Sequence, residues 1–216
     1  MEVIPVVNCE DRTCAEKKLI ALSSFLESGH FIHVDVTDGV FTPHKTWNDA
    51  SAWKELLNAR FHFQLEVHLM VEHPTIWIMP WIAAGVKRFI VHVEAIDEIS
   101  FKKIKELCDQ GGATLMLSSN PETPIEAFSP YFTICNWFQV LSVHPGLAGQ
   151  PFLSLTLEKT SWLRRREPHA IIEMDGGMNP ETAESAKNAG ADIIVSASDI
   201  FNNQNPKKEY ERLKKI

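Results

Sequence analysis

The sequence has no excess of positive charge, no CxxC pair, no Gly/Ser-rich linker and no apolar run long enough to cross a bilayer. Twenty-one Lys plus Arg against 28 Asp plus Glu leave a formal net charge of −7, and no face is obviously basic. A nucleic-acid or anionic-membrane partner therefore has little electrostatic support, so an anionic small substrate must be held by local donors. The longest apolar stretches, such as Thr75 to Val86, are broken by Pro80 and fall short of the ~18 residues a membrane helix needs. Met1 to Val7 carries Glu2 and lacks the basic-then-apolar layout of a secretory leader. The four cysteines, at 9, 14, 108 and 135, form no dense framework. They are expected to be reduced thiols in a cytoplasmic protein. With 44% hydrophobic, 23% charged and 9% aromatic residues in 216, the composition suits one compact soluble domain and argues against a disordered or fibrous chain.

What is present is an alternation of short apolar or β-branched runs with helix-length amphipathic segments, the signature of βαβ units and a parallel sheet. Strands are expected at 3–7, 31–36, 63–67, 88–93, 114–117, 138–143, 170–174 and 193–196. Helices are expected at 13–27, 50–57, 75–84, 96–108, 125–129, 153–165, 180–189 and 207–215. Eight such pairs in about 200 residues fit a single (β/α)8 TIM barrel spanning 1–216, whereas an open doubly wound sheet usually needs fewer.

In such a barrel the carboxyl ends of the strands face the active site. The second strand ends in His33-Val34-Asp35, whose two-residue spacing puts both polar side chains on one face, the barrel interior. The third carries Glu66-Val67-His68 and the seventh Glu173-Met174-Asp175. Two imidazoles and two carboxylates, His33, Asp35, His68 and Asp175, thus converge as candidate ligands for one divalent metal ion, Zn, Fe, Mn or Co.

A second set of features gathers on the last three loops: Pro145-Gly146-Leu147-Ala148-Gly149-Gln150, Asp175-Gly176-Gly177 and Ala197-Ser198. Glycines let backbone N–H groups approach an anion, and these loops are where barrels commonly hold phosphate. A phosphorylated substrate is expected.

The sequence resembles the ribulose-phosphate 3-epimerases, (β/α)8 barrels acting on pentulose phosphates. The likeness rests on His33 to Gly39 with Phe41 and Pro43, on Val67 to Val71 with Pro74, and on Ser142-Val143 leading into Pro145 to Phe152. It continues through Asp175 to Asn179 and Gly190 to Asp192 to Ser198 and Phe201. The resemblance implies metal ligation by His33, Asp35, His68 and Asp175, with Asp35 and Asp175 as the proton-transfer pair. It implies that Met70 and His68 border the substrate, and that Gly146, Leu147, Ala148, Gly149, Gly176, Gly177, Ala197 and Ser198 contact its phosphate. It also implies that residues 146–150 act as part of a lid, that the reaction is epimerisation at C3 of D-ribulose 5-phosphate to D-xylulose 5-phosphate, and that the protein is a homo-oligomer.

Several positions depart from the family pattern. The serine that usually contacts substrate at the end of the first strand is Val6; Asn8, on the same strand face, offers an amide to a substrate hydroxyl or serves a turn. Thr37, Leu141 and His144 alter the pocket wall, and Ala148 and Ala197 replace glycines, which backbone donation tolerates where φ is negative. Trp47 reads as packing above the barrel. His92 and Glu94 are left outside the metal site, and Arg164 to Arg166 and Lys207 to Lys215 read as solvated helix faces. A 3-epimerase of another ketose phosphate, such as a hexulose 6-phosphate, and a non-catalytic sugar-phosphate binder are the alternatives. A phosphate-sugar decarboxylase is disfavoured, because Thr37 stands where its Asp-x-Lys-x-x-Asp array needs lysine.

Overall fold

The computed structural model describes residues 1–216. Eight parallel strands, β1 (Glu2–Pro5), β2 (Phe31–Thr37), β3 (Gln64–Met70), β4 (Arg88–His92), β5 (Thr114–Ser119), β6 (Trp137–Leu141), β7 (Ile171–Asp175) and β8 (Ile193–Ser196), pair in the order β1-β8-β7-β6-β5-β4-β3-β2. The two ends of that order meet at a bridge between Val6 and His33, where the Val7 N–H donates to the His33 carbonyl at 2.7 Å. The strands therefore form a barrel, as the alternation implies.

The helices are α1 (Arg12–Ser23), α2 (Ala50–Arg60), α3 (Thr75–Ala83), α4 (Glu98–Gly111), α5 (Thr156–Arg166), α6 (Pro180–Ala189), α7 (Ser198–Phe201) and α8 (Pro206–Lys214). Their starts follow local chemistry. Asp11, Asp49, Asp97 and Asn179 each accept a first-turn N–H with their side chains, satisfying donors that a helix terminus leaves orphaned. The segment expected as a helix at 125–129 is instead a 3₁₀ turn over Ile125–Tyr131 containing Pro130, a residue without an N–H to extend a ladder. The four-residue α7 lies after β8, where no helix is expected from so short a segment.

Strand alternation divides the protein chemically. Ile32, Val34, Leu65, Val67, Phe89, Val91, Phe138, Val140, Ile172 and Met174 belong to the apolar core that the helices cover. The residues between them, including His33, Glu66, His68, Arg88, His92, Gln139 and Glu173, are buried polar groups of the barrel interior.

Two expectations are corrected here. Cys9 and Cys14 are joined by a disulfide, while Cys108 and Cys135 are free and buried. The loop after β1 and the first turn of α1 bring the Cys9 and Cys14 Cα atoms to 5.6 Å, inside the range a disulfide spans; their sequence spacing alone carries no such signal. Arg164 is half-buried rather than a free surface charge: its guanidinium donates to the carbonyls of Gly190, Pro168 and Ala170 and pairs with Asp192, tying α5 to the β7 and β8 side of the barrel.

Candidate active site

The carboxyl ends of β2, β3 and β7 place His33, Asp35, His68 and Asp175 together, with one donor atom of each within 4.8 Å of the others. The register that pairs Asp35 with His68 across β2 and β3 fixes their common height. His33 Nε2 lies 3.2 Å from Asp35 Oδ1 and 3.9 Å from Asp175 Oδ2. His68 Nδ1 lies 3.4 Å from Asp35 Oδ1 and 3.3 Å from Asp175 Oδ2. That nitrogen is buried and makes no aligned hydrogen bond, so an orphaned lone pair or proton points between two carboxylates. A divalent cation fits this set: imidazole and carboxylate donors around one point, two of them anionic.

Electrostatics keep the site charged. Burial works to raise the Asp35 pKa, yet His33 and His68 outweigh it and hold the carboxyl well below its ordinary range. Burial likewise works against charge on His33, but Asp35 and Glu66 lift its pKa well above the usual value. For His68, burial is outweighed by Asp175 and Asp35.

Asn8 sits at the rim and donates from Nδ2 to Asp35 Oδ2 at 2.9 Å and to the Gly146 carbonyl at 3.5 Å. Its amide thus engages a carboxylate of the cluster. Of the expected substrate residues, Asn8, Met70, Gly146, Leu147, Ala148, Gly149, Gly176, Gly177, Ala197 and Ser198 all line the cleft above the cluster. His68 lies beneath it, fully buried.

The glycine-rich turn after β7 is built by contact as much as by conformation. Gly177 has φ +65°, and a Cβ there would come within 2.8 Å of the Phe152 backbone. Ser142 clamps the same turn, donating from Oγ to the carbonyls of Asp175 and Gly176 at 2.7 Å. The N–H groups of Gly176 and Gly177 donate to no acceptor in the protein. No residue other than glycine has positive φ, so Ala148 and Ala197 occupy their loops without strain. Gln150 folds the preceding loop on itself through the His144 and Leu147 carbonyls, at 2.6 and 2.8 Å.

Thr37 does not border the cleft. Its hydroxyl accepts the Thr46 N–H at 2.9 Å, and Thr46 returns the contact to the Thr37 N–H at 3.0 Å. Trp47 packs against Trp53, as expected.

Sequence reasoning missed the polar floor below the cluster. His33 Nδ1 meets Glu66 Oε1 at 2.7 Å, and Glu66 also binds Arg88. Gln139 donates to Glu173 at 2.9 Å and accepts the Ser118 hydroxyl at 2.6 Å. Burial, then the nearby Glu66, push the Glu173 pKa well above normal, whereas His33 and Arg88 overcome burial to hold Glu66 low. The two neighbouring carboxyls are thereby pushed in opposite directions, Glu173 towards its neutral form and Glu66 towards its ionised form. The available signal was the period-two spacing: Glu66 and Glu173 each precede a cluster ligand by two residues. His92 and Glu94, also set aside in the sequence, lie outside the four-ligand cluster, but His92 Nε2 touches His68 Nε2 at 2.8 Å.

A profile of the Ribulose-phosphate 3 epimerase family matches residues 12–201. The chain belongs to this family. The ribulose-phosphate 3-epimerase of Chlamydia trachomatis serovar D is 36% identical over 182 residues, covering 81% of this chain and 76% of its own length. That of Bacillus subtilis is 31% identical over 190 residues, covering 85% of each. The chain is accordingly an epimerase-like enzyme of the isomerase class. Among solved structures, a 3-hexulose-6-phosphate synthase from Salmonella typhimurium superposes with a TM-score of 0.75 at 13% identity, covering 100% of this chain and 97% of that one. An orotidine 5'-monophosphate decarboxylase from Sulfolobus solfataricus does so at 0.68 and 16% identity, with 100% and 96% coverage. At these identities the likeness is one of fold.

Proposed function

We propose that this member of the ribulose-phosphate 3-epimerase family interconverts D-ribulose 5-phosphate and D-xylulose 5-phosphate, with Asp35 and Asp175 as the opposed acid/base pair. The observation that carries the reading is their convergence: carboxylates from β2 and β7 both approach His68 Nδ1, at 3.4 and 3.3 Å, at the floor of one cleft. Epimerisation needs a carboxylate on each face of the planar enediolate left when the C3 proton departs. Asp35, kept ionised by its two histidines, takes that proton from one face, and Asp175 delivers one to the other. The roles exchange in reverse. The donors of His33, Asp35, His68 and Asp175 would hold one divalent cation, which supplies electrostatic stabilisation for the negative charge developing on the substrate oxygens.

Asn8 steers Asp35 through its hydrogen bond to Oδ2. The free N–H groups of Gly176 and Gly177, with those of residues 146–149 and of Ala197 and Ser198, offer the donors that a phosphate requires. The test is incubation with D-ribulose 5-phosphate in D₂O, with Asp175→Asn as control. Deuterium at C3 together with xylulose 5-phosphate in the wild type, with the epimer lost in the variant, supports the reading. Absence of exchange with Zn²⁺ bound overturns it and moves the substrate to another ketose phosphate.

A further inference from the structure

His92 and Glu94 do not line the cleft, yet His92 touches His68 and Glu94 touches His92, a chain that bears on where the His68 proton sits. His68 Nε2 and His92 Nε2 are 2.8 Å apart, His92 Nδ1 is 3.1 Å from Glu94 Oε2, and both imidazoles are fully buried. Glu94 is itself fixed: its Oε1 accepts the Asn120 N–H at 2.8 Å and the Thr123 hydroxyl. The Phe41 ring packs on His92 at 4.8 Å.

A contact between two imidazole nitrogens holds one hydrogen, and an ionised carboxylate only accepts. Glu94 therefore draws the His92 proton to Nδ1. That leaves His92 Nε2 bare, so it accepts from His68, whose proton must sit on Nε2. His68 Nδ1 is then the nitrogen that faces Asp35 and Asp175, 3.4 and 3.3 Å away, where a cation, or a proton in its absence, stands between the acceptors. The reverse assignment puts a bare His92 Nδ1 against a carboxylate and places two acceptors 3.1 Å apart without a hydrogen. One carboxylate, acting through one imidazole, thus selects the orientation and tautomer of a second.

We propose that His92 and Glu94 are positioning residues that lock His68 in its Nε2–H form, so that Nδ1 is presented to the divalent cation. This inference rests on the metal site of the reading above. Hydrogen-bonding partners behind metal-bound histidines commonly change metal affinity about 10- to 100-fold when removed, and here the carboxylate acts at one remove.

The test uses the full chain, free of metal and then titrated with Zn²⁺. Calorimetry gives the affinity, and ¹⁵N NMR of the imidazoles reports which nitrogen carries hydrogen. His92→Phe keeps the ring volume without an acceptor; it is expected to weaken Zn²⁺ about 10- to 100-fold and to scatter the His68 tautomer. His92→Gln, whose amide oxygen accepts the His68 N–H, should restore most of both. If His92→Phe does not fold, Glu94→Gln decides: it should weaken Zn²⁺ by a smaller factor and release the His92 tautomer. Zn²⁺ affinity within twofold of wild type, with an unchanged His68 signal, in the folded His92→Phe or Glu94→Gln protein overturns the proposal. A wild-type protein that binds no Zn²⁺ overturns instead the metal reading on which it stands, so the two failures are distinguishable.

Discussion

His33 Nδ1 rests 2.7 Å from Glu66 Oε1, and the same carboxylate holds the buried guanidinium of Arg88. Glu66 thus orients one candidate ligand while neutralising a cation sealed in the barrel floor, where Arg88 also stacks over Phe31 and Trp137 at 4.3 and 4.7 Å. Removing one partner of such a pair leaves an uncompensated buried charge, at a cost of about 3–5 kcal/mol. Glu66→Gln should lose about that much stability in urea. Adding Arg88→Met, which removes the stranded cation, should recover a large part of it. A single variant within 1 kcal/mol of wild type, on the same scale, would show that Arg88 finds its counter-charge in Glu173, now 3.9 Å away.

Asn8 offers a sharper division between two roles. Its amide is engaged with Asp35 at 2.9 Å, so its loss should disturb the carboxylate rather than the hold on substrate. A hydrogen bond to a charged group is worth about 1.5–3 kcal/mol. Asn8→Ala is accordingly expected to lower kcat about 10- to 100-fold with little change in KM. A raised KM at constant kcat would give the amide to a substrate hydroxyl instead.

Most of the barrel was legible because it is written in local periodicity. All eight strands overlap the apolar runs that mark them in the sequence, and His33, Asp35, His68 and Asp175 meet because strand ends share one height. The Cys9–Cys14 disulfide, the Arg164 anchor and the Glu94–His92–His68 chain were not legible. Each joins residues through packing geometry that spacing along a chain does not encode. Thr37 illustrates the same limit: the sequence puts a hydroxyl near the pocket, and only the reciprocal Thr46 pairing turns it away.

Glu94 also makes a prediction about pH. Burial raises its pKa, but His92, Thr123 and the Asn120 amide more than reverse this and hold it at about 2, against an ordinary 4.5. A depressed carboxyl stabilises the fold above its unfolded pKa, and that contribution is lost as pH falls through the folded value. The stability difference between wild type and Glu94→Gln should therefore be full above pH 4.5 and shrink from there towards pH 2. Urea midpoints of the two proteins across that range provide the measurement. A difference independent of pH would remove the charge of Glu94 from the account.

The disulfide beside Asn8 can be counted directly. Cys108 and Cys135 are buried, with thiols that burial pushes up to about 12 and about 11, so the native protein should react with no thiol reagent. Thiolates are the reactive form, and neither exists near neutrality. Denaturation without reductant should expose two thiols, and reduction in denaturant should expose all four. Four thiols without reductant would return Cys9 and Cys14 to the reduced state that the sequence suggests. If the bridge is present, reducing it should cost about 2 kcal/mol, the loop-closure value for a link across so few residues. Because Cys9 directly follows Asn8 and its carbonyl accepts the Trp47 N–H at 2.8 Å, the reduced protein should also show the Asn8 phenotype in weaker form, a fall in kcat at steady KM.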